Sequence, residues 1–230
     1  MIIIPLQVWG IGDVIWEQTI VNKLAEGDKI LWPVEPEFVE GLNRAYPHIL
    51  FIHKNMVHLD HQRRDDYEVN GCRVLPLRWA DTNLKVPYTQ CMSSKYDLYN
   101  MDYRDWKENA MWHRDSEREN ALFKLLGCDK EPYAFVNTIF GSQSQLRIAN
   151  PVAHDLPVVE MRTIPGFSLF DWAKVIEGAS YIHSVSTSII YILELLVLQQ
   201  PIHLYVRKPI EQNFDNVEYI LKSHDYILHL

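Results

Sequence analysis

Two hydrophobic periods alternate through the first fifty residues. Ile2, Ile3 and Ile4, with Leu6 and Val8, make one continuous apolar run. That is the pattern of a strand buried on both faces rather than one with a wet side. Gly10-Ile11-Gly12-Asp13 breaks the run. Val14, Ile20, Val21, Leu24 and Ala25 then recur on one broad helical face, and Gly27 ends it. Residues 29–32 predict a second strand. Phe38, Val39, Leu42 and Ala45 predict a helix over 37–46, and a third strand follows Pro47 at 49–52. A strand–helix–strand–helix–strand series of this kind builds a parallel sheet with right-handed crossovers.

The pattern loosens in the middle and returns. Residues 73–77 are a candidate strand. Residues 81–115 are rich in Tyr, Trp, Asp, Asn and Met, which predicts loops and short helices. Tyr96, Tyr99, Tyr103, Trp106 and Trp112 there read as core or interface, with stacking on a sugar as the alternative. Ser116-Glu117-Arg118-Glu119 is a capping box opening a helix that Gly127 closes. Strands are predicted at 133–139, 157–161, 181–185, 201–206 and 226–230, with a short helix at 216–222. Ser168-Leu169-Phe170-Asp171 starts another helix, and Ser186-Thr187-Ser188 caps an apolar one over 189–198. The fold class is therefore α/β: two small Rossmann-like, doubly wound lobes with a cleft between them. Their bounds are 1–115 and 116–230.

Composition narrows the function. The 230 residues are 47% hydrophobic and 23% charged, ordinary for a globular chain. A net charge of −8 argues against nucleic acid as partner, since phosphate backbones want a basic face. Three cysteines, Cys72, Cys91 and Cys128, make neither a disulfide framework nor a thiolate zinc site. The apolar run 189–198 contains Glu194 and is too short to span a bilayer, and the start lacks a signal peptide's pattern. The expectation is a cytoplasmic protein with no transmembrane segment.

The residues able to carry chemistry are few. Asp13 follows a Gly-x-Gly turn between a strand and a helix, where open parallel sheets bind ligands. It reads either as a functional carboxylate or as a plain helix N-cap. Ile15 stands where a dinucleotide fingerprint needs glycine, and no P-loop, Gly-x-Ser-x-Gly elbow or Asp-x-Asp occurs. His58, Asp60 and His61 cluster, but one polar loop gives poor metal geometry. No metal and no cofactor is expected.

Gly10-Ile11-Gly12-Asp13-Val14-Ile15 and the helix after it resemble the first turn of bacterial heptosyltransferases and related glycosyltransferases of the two-lobed GT-B fold. Residues 168–196, "SLFDWAKVIEGASYIHSVSTSIIYILELL", resemble the late part of the C-terminal lobe in that family. Glu17 and Thr19 depart from the family's Pro-containing helix turn, and Ser188 replaces a glycine. The resemblance makes Asp13 the general base beside the acceptor hydroxyl. It gives Ser186, Thr187, Ser188 and Arg147 the donor diphosphate, with Gly10, Gly12, Gln143 and Glu160 lining the cleft. It makes 1–115 the acceptor-side lobe and 116–230 the nucleotide-sugar-binding lobe. The activity it implies is inverting, metal-independent transfer from a nucleotide diphosphate sugar to the hydroxyl of a glycan or other acceptor. A nucleotide-sugar epimerase, or a non-catalytic α/β binding or assembly protein, remains the alternative.

Overall fold

The computed structural model describes residues 1–7, 10–60, 63, 65–77, 92–139, 155–206 and 220–229. The chain forms two compact units, Met1–His113 and Arg114–Leu230.

The first unit is built on strand β1, Ile2–Pro5, of which three residues are buried. Its neighbours are β2 (Lys29–Val34), β3 (Ile49–His53), β4 (Tyr67–Val69) and β5 (Cys72–Leu75) in the order β3-β2-β1-β5-β4. All pairings are parallel except β4 with β5. That last pair is a hairpin closed by Asn70-Gly71, whose φ angles of 50° and 74° are those of a type I′ turn. Strand order reverses at β1, so the chain leaving β1 emerges at the sheet's topological switch point.

That chain runs into α1 (Ile11–Trp16) and α2 (Gln18–Ala25). The single helix expected after Gly10 is in fact two, parted at Glu17. The break coincides with three consecutive polar residues, Glu17, Gln18 and Thr19, all fully buried. Their partners come from farther along the chain. Thr19 donates its hydroxyl to the Trp106 carbonyl at 2.7 Å and accepts the Asn109 amide at 3.1 Å. Trp16 donates its indole N–H to the Met92 carbonyl at 3.0 Å, and Tyr96 donates its hydroxyl to the Trp16 carbonyl at 2.7 Å. The Trp16 ring packs on Tyr96 and Trp106 at 5.4 and 5.2 Å between centroids. The segment holding α4 (Ser93–Asp97) and a 3-10 helix, Tyr103–Glu108, is thus clamped onto α1 and α2. Tyr96, Trp106 and Trp112 are core residues rather than a sugar-stacking surface. Between β2 and β3 runs α3, Pro36–Ala45.

The second unit carries β6 (Ala134–Asn137), β7 (Val158–Glu160), β8 (Tyr181–Val185), β9 (Ile202–Tyr205) and β10 (Tyr226–His229). Their order is β10-β9-β8-β6-β7, parallel throughout. This is a doubly wound order with its reversal between β6 and β8. Helices α5 (Ser116–Leu125), α6 (Ala173–Glu177) and α7 (Ile189–Leu195) complete it. Phe135 of β6 meets Trp172 edge-on at 6.0 Å. Glu194 is buried in α7, but its carboxylate accepts the Lys222 and Ser223 amides and the Tyr226 hydroxyl. A buried carboxylate with those donors is satisfied and ties the last strand to the helix.

Two capping expectations need correction and a third holds. Asp115, not Ser116, caps α5, accepting the Arg118 amide at 3.1 Å, and Glu119 instead meets Arg114. Ser188 holds the N-cap position of α7 with helical backbone angles and no side-chain cap bond, and α7 stops at Leu195. The capping box at Ser168 and Asp171 is present, though it opens a 3-10 turn, Leu169–Trp172, before α6. No helix among the described residues is long and apolar enough to cross a membrane.

Candidate functional site

Asp13 does not cap its helix. Gly10 occupies the N-cap position of α1 with φ 79°, and Asp13 lies in the first turn without a cap bond. A Cβ on Gly10 would stand 2.5 Å from Asp13 Oδ2. Glycine is needed there twice, for the backbone angle and for the room its missing side chain leaves to the carboxylate. Gly12 is buried in the same turn.

The other carboxylate oxygen has a partner that the sequence did not reveal. Lys95 Nζ of α4 donates to Asp13 Oδ1 at 2.6 Å and to Glu17 Oε1 at 2.5 Å. The Lys95 and Glu17 side chains are fully buried, whereas Asp13 is 25% exposed. Of the three, only Asp13 reaches solvent. Burial alone would strip the proton from Lys95, but the adjacent Asp13 charge and the hydrogen bonds to Asp13 and Glu17 outweigh it and hold its pKa above the usual lysine value. Burial pushes Glu17 the other way, up to about 8, against the pull of Lys95. Glu17 Oε2 is buried without a hydrogen-bond partner. An acid carrying its proton costs far less to bury than an unpaired anionic oxygen. Near neutrality Glu17 accordingly holds a proton, and Lys95 stays charged.

This has a consequence for stability. The native state keeps a proton on Glu17 that the unfolded chain gives up above 4.5. Stability from this group is complete below 4.5 and falls as pH rises toward about 8, because the native state is then the one binding more protons. Glu17→Gln cannot titrate. The melting temperature of the wild type relative to Glu17→Gln is expected to decline over that window. A difference that is flat with pH would show that Glu17 is ionised throughout.

In the second unit the carboxyl edge of the sheet gathers polar side chains on both sides of β6. Asn137, the last residue of β6, pairs in register with Ser184 of β8, and Val136 with Glu160 of β7. Asn137 donates to the Ser184 hydroxyl at 3.3 Å and to the Thr187 hydroxyl at 3.5 Å. Thr138 donates its hydroxyl to Glu160 at 2.8 Å. Ser186, Thr187 and Ser188 follow β8 directly and are half-buried. The amides of Ser186 and Thr187 are already bonded to the carbonyls of Tyr205 and Val185. The Ile190 and Tyr191 amides likewise donate to the carbonyls of Thr187 and Ser188, so an anion here would meet chiefly hydroxyls. Glu160 and Ser186–Ser188 thus share one edge of one sheet. Arg147 and Gln143 lie outside the described residues.

Asn137, Lys95 and Glu17 escaped the sequence reading. Asn137 had a usable signal, a polar residue ending an otherwise apolar strand. Lys95 had none, since nothing local links it to a turn 82 residues away. Among the described residues no group of three His, Cys, Asp or Glu side chains is placed to hold a metal ion. His58 and Asp60 are described, but His61 is not.

No protein-family model and no curated protein matches the chain. Two solved structures resemble it in fold. A glycosyl transferase family 9 protein from Veillonella parvula DSM 2008 has a TM-score of 0.47 and 11% identity, over 90% of this chain and 81% of that one. E. coli heptosyltransferase WaaC with ADP has a TM-score of 0.39 and 13% identity, over 89% and 87%.

Proposed function

We propose that the chain is a glycosyltransferase, moving a sugar from a nucleotide diphosphate sugar to an acceptor hydroxyl by direct displacement. The supporting observation is the carboxylate of Asp13, set at the switch point of a parallel sheet, open on one side and held by a buried ammonium on the other. Ligands of open α/β sheets bind at such points. In this reading Asp13 takes the proton of the acceptor hydroxyl as its oxygen bonds to the anomeric carbon. The bond from that carbon to the diphosphate breaks on the opposite face, and the nucleoside diphosphate leaves. A single displacement inverts the anomeric configuration.

The leaving group is assigned to the second unit. Ser186, Thr187 and Ser188 would contact the diphosphate, with Arg147 as its cation and Glu160 toward the ribose or base. The hydroxyls of Thr187 and Ser188 would supply the donors. No step calls for a metal, so turnover is expected to survive EDTA.

The test is a thermal-shift panel of nucleoside diphosphates and their sugar esters. At least one is expected to raise the melting temperature, and Thr187→Asp, which adds charge against the diphosphate, to abolish that rise in a folded protein. An unchanged rise in Thr187→Asp removes this edge from the proposal. No rise with any nucleotide favours the non-catalytic binding protein.

A further inference from the structure

The three groups behind Asp13 form a unit with one outward end. Lys95 contacts Asp13 and Glu17, residues four apart on the chain, and is itself sealed from solvent. Removing a lysine from water is costly, and an apolar side chain of similar length would fill the same space. What an apolar side chain does not do is hold a carboxylate. Asp13 is held at one oxygen, and the other lies in the room over Gly10. Lys95 holds Oδ1 at 2.6 Å, and Oδ2 occupies the space that the missing Gly10 side chain leaves open. The ammonium on Oδ1 and the absence of a side chain at Gly10 together let the carboxylate lie with Oδ2 over that turn.

We propose that Lys95 is a positioning residue for Asp13. Its ammonium grips Oδ1 and leaves Oδ2 as the oxygen that meets the acceptor hydroxyl, while Glu17 anchors the ammonium from behind. This rests on the glycosyltransferase reading for the identity of the proton donor, but the positioning itself is a matter of geometry. Glu17 suits the anchoring role because it accepts from Lys95 through Oε1, yet its raised pKa leaves the ammonium's charge to Asp13. Lys95 never touches the sugar, so it should act on turnover and not on donor binding. A displacement of a reacting group by about 1 Å is enough to cost on the order of 10²-fold.

Four variants test this: Lys95→Met, Lys95→Arg, the double variant Lys95→Met with Glu17→Gln, and Asp13→Asn. The double variant guards against misfolding, because it removes the buried acid that Lys95→Met would strand. Crystal structures of the folded variants read the Asp13 side chain directly. Its carboxylate is expected to leave its place over Gly10 in both variants with Met at position 95, and to return in Lys95→Arg. Kinetics use as donor the nucleotide sugar that most stabilises the wild type, with a panel of methyl glycosides as acceptors. Lys95→Met is expected to lower kcat by about 10²-fold with KM for the donor unchanged, and Lys95→Arg to recover part of the loss. An Asp13 carboxylate unmoved without Lys95, or wild-type kcat in Lys95→Met beside an inactive Asp13→Asn, overturns the proposal. Wild-type turnover in Asp13→Asn overturns the glycosyltransferase reading instead, and the crystal structures still decide the positioning.

Discussion

Asp13→Asn is expected to keep its fold and its donor affinity while losing turnover by about 10²–10⁴-fold, the usual worth of a general base. The fold survives for a reason found in the surrounding groups. Asp13 caps no helix, so no N–H is orphaned by the change. Lys95 loses one charged partner but keeps Glu17, which can give up its proton and supply the missing negative charge. An asparagine oxygen can still accept from Lys95, yet the amide cannot take a proton from a hydroxyl. Transfer rate and melting temperature on one sample separate the outcomes. Near-wild-type transfer would reduce Asp13 to an ion-pair partner of Lys95.

The largest effect on stability is expected at Trp16. Its side chain is fully buried, packs on Tyr96 and Trp106, and donates to the Met92 carbonyl. Truncation to alanine removes these ring contacts and leaves a cavity beneath the segment holding α4. A loss of about 3–5 kcal/mol is expected for Trp16→Ala. The fall should appear as a lower urea midpoint with little change in slope. Trp16 is also one turn from Asp13 and supports the helix that carries Lys95. The variant should therefore lose activity at temperatures where it is still folded. A loss below about 1 kcal/mol would mean that the segment from Met92 to Ala110 is not clamped onto α1 and α2.

Much of the fold was legible because its inner strands, β1, β2, β6, β8 and β9, are largely buried. Runs such as Ile2-Ile3-Ile4 and Ala134-Phe135-Val136 have few alternatives once Gly and Pro bound them. The β4–β5 hairpin carries an equally local signal. Asn70-Gly71 lies between two short β-prone runs, which is the strongest local hairpin signal. The capping errors have another origin. Ser116 and Asp115 both fit an N-cap, and the choice depended on Arg114, whose two ion pairs draw Glu119 away from the backbone.

The site was legible only where its residues are local. The turn Gly10–Asp13 and the run Ser186–Ser188 announce themselves by spacing after a strand. Lys95 sits in a polar, aromatic stretch without clear periodicity, and its burial follows from tertiary packing against α1. Glu17 looked like a departure from a helix turn, yet it is the residue that makes room for a buried lysine beside Asp13.

Sugar transfer itself is read by product analysis. The donor that stabilises the protein is incubated with the protein, with and without an acceptor glycoside, and followed by proton NMR. Free nucleoside diphosphate and a new glycosidic linkage of inverted anomeric configuration are expected, formed only when acceptor is present. A changed donor sugar without acceptor, or a linkage that retains the donor's configuration, would rule out direct displacement by Asp13.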